Sequence, residues 1–146
     1  MKHIIYLDSP EAPAGLSDAL GRYQSSIPVI GFPAHFSVPQ ICLGINQAIG
    51  TQAVPVMVVA TGVRCQDLPQ LARAQSAVHR SVIAYALINP DFPPSTDQWP
   101  AAPVTVYLPL NQEPERNVSL RGFHIHHFTD PEDLANQVID QANLAQ

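Results

Sequence analysis

Short apolar runs recur along the chain and alternate with segments of helical periodicity. His3 to Leu7 is the first run, and Leu16, Ala19, Leu20 and Tyr23 follow at i, i+3, i+4, i+7 spacing. Pro28 to Phe32 is the second run, leading into Val38, Ile41, Cys42, Ile45 and Ile49 at helical spacing, with Gly50 as the stop. Val54 to Ala60 carries no polar residue, the pattern of a strand buried on both faces at the centre of a parallel sheet. Asp67 then stands where a helix cap belongs, with Leu68, Leu71, Ala72 and Val78 on the buried side and Arg73, Gln75 and Arg80 toward solvent. Val82 to Ile88, Val104 to Leu108 and Phe123 to Phe128 are three further strands. Asp130-Pro131-Glu132-Asp133 opens a last helix with a cap, a proline at its first position and acids in its first turn.

The predicted order is β-α-β-α-β-α-β-loop-β-loop-β-α. Strands alternating with helices require right-handed crossovers, and hence a mostly parallel sheet of about six strands covered on both faces. The fold class read from the pattern is three-layer α/β/α in one domain spanning residues 1–146. Residues 91–102, with prolines clustered around Trp99, read as a surface loop with a partly buried Trp99 anchor, and 112–120 as a second polar loop. Most of the 15 prolines border apolar runs and act as punctuation.

Composition narrows the function classes. Only 13% of residues are charged, which argues for a large buried fraction and against disorder. A net charge of −5 with 7 Lys plus Arg and no basic run argues against nucleic acid and against an anionic membrane surface. No apolar stretch reaches bilayer length, and the N-terminus reads as a strand and not as a signal peptide. Cys42 and Cys65 form no CxxC and read as free thiols, so the cytoplasm is the expected compartment.

In doubly wound sheets, ligands sit at the carboxyl ends of the strands. Here those ends carry Asp8-Ser9-Pro10, Pro33-Ala34-His35, Thr61-Gly62-Val63-Arg64-Cys65, Asn89-Pro90-Asp91, Pro109 to Arg116 and Thr129-Asp130. The ligand-binding candidates are Asp8, Ser9, His35, Thr61, Gly62, Arg64 and Asp91. Asp8 and Asp91 are placed to share a crevice, although such residues also cap helices or close Asx-turns. Cys65 is the candidate nucleophile, near a helix N-terminus and beside Arg64, and its bland reading is a space-filling thiol. His126 and His35 are the candidate bases, although His35, between Pro33 and Phe36, reads as a loop residue before it reads as a base. His124 and His126 share a strand face, but no third ligand accompanies them, so no metal is expected. Gly62 alone makes neither GxGxxG nor a P-loop, and no cofactor is implied.

Val56 to Arg64, a helix, and then Ser81 to Asp91 together resemble the central strands of the small bacterial α/β-hydrolases from that family's third strand onward. Asp97 to Tyr107, Arg121 to His126 and Thr129 to Ala135 are similar to the approach to the next strand, the last strand and the last helix. A Rossmann or flavodoxin-like nucleotide-binding module is the runner-up. The resemblance implies a G-x-S-x-G elbow at Ala60-Thr61-Gly62-Val63-Arg64, where Gly62 takes the nucleophile position and Arg64 that of the second glycine. Asn111 and Glu113 are nearest to the acid position. Phe128 runs straight into Thr129-Asp130-Pro131, leaving no room for the loop that carries the family's histidine. Members of a catalytic triad act as a unit, so ordinary serine hydrolysis is not expected. The expectation is a non-catalytic domain binding a small molecule or a protein partner. The alternative is an enzyme with a displaced nucleophile such as Cys65. Without the family's first two strands a sheet edge is left open, which makes a homodimer a further expectation.

Overall fold

Six parallel strands form the centre of the computed structural model, which describes residues 2–50, 54–91, 102–114 and 123–145. They are β1 (His3–Leu7), β2 (Val29–Phe32), β3 (Val56–Thr61), β4 (Val82–Ile88), β5 (Val104–Pro109) and β6 (His124–Phe128), in the order β2-β1-β3-β4-β5-β6. Every neighbouring pair is parallel. The all-apolar run lies in the interior of the sheet as β3, buried at each of its positions. β2 and β6 are the edge strands of this sheet.

Side-chain alternation along each strand divides the core in two. Ile5, Leu7, Val58, Ala60, Tyr85 and Leu87 face α2 (Val38–Ile49) and α3 (Leu68–Ala77). Ile4, Tyr6, Met57, Val59, Ala84 and Ala86 face α1 (Leu16–Gly21) and α4 (Pro131–Leu144), two helices that also pack on each other. The architecture is therefore three-layer α/β/α. The crossover after β1 uses one face and the crossover after β3 the other, so the chain changes direction between these adjacent strands. Their carboxyl ends form the switch-point crevice. Five of the strands follow the 2-1-3-4-5 order shared with flavodoxin-like sheets.

Helix ends follow the local chemistry. Ser37 and Gln40 form a reciprocal capping box on α2, with Gln40 Oε1 accepting from Ser37 N–H at 2.8 Å. Gly50, at φ +79°, ends that helix. Asp130 accepts from the Asp133 N–H at 2.8 Å and Pro131 follows it, as the sequence predicts.

Three expectations around α3 need correction. Asp67 makes no side-chain cap, because a 3-10 turn (Gly62–Asp67) precedes the helix and the Asp67 carboxylate is taken by Arg64 at 3.0 Å. Gln75 and Arg80 are buried, not solvated: the chain turns at His79 (φ +60°) and Arg80 folds back onto Gln75 Oε1 at 2.7 Å. Val78, just past the last helical residue, is exposed. The Trp99 segment and most of the second polar loop lie outside the described residues.

α2 carries a glycine in its interior, where alanine ordinarily stabilises a helix by about 1 kcal/mol. Gly44 is there because the Phe32 ring at the end of β2 occupies the space a Cβ would fill. Gly44→Ala is expected to lower stability by about 1–3 kcal/mol through overpacking. Phe32→Leu should relieve most of that increment, as read by urea denaturation of the two single variants and the double variant.

Candidate functional site

The crevice is built where β1 and β3 end. β3 carries one polar side chain, Thr61, at its last position, and burial requires it to be paired. Its hydroxyl donates to the Leu7 carbonyl at 3.0 Å and hydrogen-bonds the buried Ser9 hydroxyl at 2.8 Å, tying the two strand ends together. Asp8 Oδ1 accepts from the Ser9 N–H at 3.0 Å and from the Tyr6 hydroxyl at 3.1 Å. Tyr6 keeps its proton well above the usual phenol range, first through burial and then through the Asp8 charge.

The bend after β3 falls at Gly62, with φ +52°. Its carbonyl accepts from the Asp91 N–H at 3.1 Å, which joins the turn after β4 to the crevice. Above Gly62 lies Glu11. A Cβ at position 62 would fall 2.7 Å from Glu11 Oε2 and 2.8 Å from Glu11 Cβ. The space that a nucleophile's side chain would need is thus taken by a carboxylate-bearing side chain from the loop after β1. Nothing in the Ser9-Pro10-Glu11 sequence signals this contact, and it was not among the candidates.

Arg64 is buried, with Nη1 on Asp67 and with Nε and Nη2 lacking partners. Cys65 is 0% exposed, its Sγ 3.7 Å from the Ala60 carbonyl. Burial pushes its thiol far above the usual range, and the charges of Asp91 and Asp67 add to that. The sequence places Cys65 beside a helix N-terminus and a cation, which lowers a thiol pKa, but Arg64 spends its charge on Asp67 and burial seals the sulfur from solvent.

The remaining candidates stand elsewhere. His35 is exposed, its ring edge-on to Phe36 at 5.0 Å between centroids. Glu113 is exposed beyond β5. His126 is exposed on β6, 5.8 Å from the Tyr107 ring, in a groove of about 420 Å³ shared with His124, Gln137 and Asp140. The structure therefore brings Asp8, Ser9, Thr61, Gly62 and Asp91 together, through the bonds described above. Cys65 is sealed in the core, whereas His35, His126 and Glu113 are exposed on other elements. No group of three His, Cys, Asp or Glu suited to a metal occurs among the described residues. Asn89, at φ +47° with a buried, unpartnered Oδ1, is a further polar residue at the end of β4, named in its strand-end peptide but not singled out as a binding candidate.

Gly62→Ala is expected to cost about 1–3 kcal/mol, since it adds left-handed strain to the overlap with Glu11. Pairing it with Glu11→Gly should return part of that loss in denaturant titrations, because only removal of the Glu11 Cβ clears the overlap. In the folded protein Cys65 should stay unmodified by a thiol-specific disulfide reagent at pH 8 while Cys42, which is partly exposed, reacts; unfolding should make both available, as counted by mass spectrometry. No protein-family model matches this chain and no curated protein matches it, so the reading of the crevice rests on its geometry.

Proposed function

We propose that this chain is a non-catalytic α/β domain of hydrolase-like architecture, whose carboxyl-end crevice serves to bind a small molecule or a protein partner. The observation that carries the reading is the bend at Gly62: a strand-to-helix turn at positive φ, where a hydrolase presents its nucleophile, bears no side chain and is covered by Glu11. Two further observations support it. β6 passes into α4 through Thr129 and Asp130, with Asp130 used as the helix cap, so the histidine-bearing loop of the family has no counterpart there. The one thiol near the bend is protonated and sealed.

Binding in place of catalysis suits what remains. Arg64 keeps two buried nitrogens, Nε and Nη2, without partners close in sequence to the bend, and Asp67 supplies a single counter-charge. Buried donors of this kind cost stability unless something pairs with them, which favours a ligand or partner bearing acceptor oxygens. The fold alone assigns no role; the reading belongs to these groups.

A panel of activated esters, thioesters and amides tests it. The expected outcome is turnover no greater than that of the heat-denatured protein. Turnover that disappears in Cys65→Ala would overturn the proposal and make the chain an enzyme with a displaced nucleophile.

A further inference from the structure

The opposite end of the sheet holds a second polar centre. Arg80 stands two residues before β4 and is 3% exposed. Its Nη1 donates to Gln75 Oε1 at 2.7 Å and to Asn46 Oδ1 at 3.3 Å, and its Nη2 donates to the Gly50 carbonyl at 3.0 Å. These bonds clasp the ends of α2 and α3, but every acceptor is neutral. Nε has no partner. Taking a guanidinium out of water without a counter-ion is unfavourable, and the partial negative charge at the end of α2 offsets only part of that cost.

Arg80 lines a cavity of about 450 Å³ together with Ala72, Ser76, His79, Tyr85 and others. Among the described residues no Asp or Glu lines it. Tyr85 is 1% exposed and its hydroxyl has no partner. Burial raises its pKa, so the phenol keeps its proton and is available to donate. His3 lies close enough that the Arg80 charge, added to burial, lowers its pKa. In a chain of net charge −5, this cavity gathers a cation, the His79 imidazole and hydroxyls, with no acid among its described walls.

We infer that the Arg80–Tyr85 cavity is an oxyanion-binding site, taking the carboxylate or phosphate group of a small molecule at the amino end of the sheet. Such a group is acceptor-only and negative, and it meets both deficits at once: a charge without a counter-charge, and two buried donors without acceptors. Ser76 and Ser81 add hydroxyls to the same walls. The crevice at Gly62 plays no part, so the two sites succeed or fail independently.

The test is the melting temperature of the full chain titrated with sodium phosphate, with sodium acetate, and with sodium chloride at matched ionic strength. The expected result is a saturable rise of about 3 °C at tenfold excess over Kd. A rise with phosphate alone assigns a phosphate ligand, and a rise with acetate alone assigns a carboxylate. Tyr85→Phe should melt no lower than the parent without anion, because it removes an unpaired buried hydroxyl, and should lose most of the anion-dependent rise. A shift no larger than that with chloride, or one that survives intact in Tyr85→Phe, would overturn the inference.

Discussion

A parallel sheet has to be covered on both faces, and most of the structure follows from how this chain meets that demand. With helices on each side, β3 has no solvent-facing position, so all its side chains are apolar except the last. Thr61 ends the run with a hydroxyl that must find partners inside the protein. It finds them in Leu7 and Ser9, at the end of the neighbouring strand. The same bonds that satisfy Thr61 fix the separation of β1 and β3 where the chain changes direction, and so they set the shape of the crevice.

The two ends of the sheet solve the polar problem differently. At the carboxyl ends, polar atoms largely pair with one another: Asp8 with Ser9 and Tyr6, the Asp91 amide with Gly62, Arg64 with Asp67. At the amino ends, Arg80 holds two helix termini but receives no charge in return. A crevice whose guanidinium has a carboxylate partner and a cavity whose guanidinium has none are different chemical starting points, although both sit on one sheet.

Periodicity made the fold legible. Continuous apolar runs mark β3 and β4, the Asp130 cap marks the start of the last helix, and the alternation of elements gives a parallel sheet. The polar interior was harder to read, because a long polar side chain at the end of a helix looks solvated by pattern. Gln75 and Arg80 fit a solvent-facing stripe by spacing and are buried because the turn at His79 folds one back on the other. Tyr85 was invisible for the opposite reason, hidden as one more large residue within an apolar strand. Cys65 could be placed near the turn by its position in the chain, but its reactivity is decided by burial, which no local spacing encodes.

The Gly62–Glu11 contact constrains how this chain can change. A residue with a side chain at position 62 meets the Glu11 Cβ as well as its carboxylate, so shortening Glu11 to alanine leaves the obstruction in place. Any lineage that placed a hydroxyl on this bend would first have to remodel the loop after β1. Until that happened, the intermediate would be less stable with no gain in chemistry to offset the loss. The two positions are therefore expected to vary together, the loop leading and the bend following.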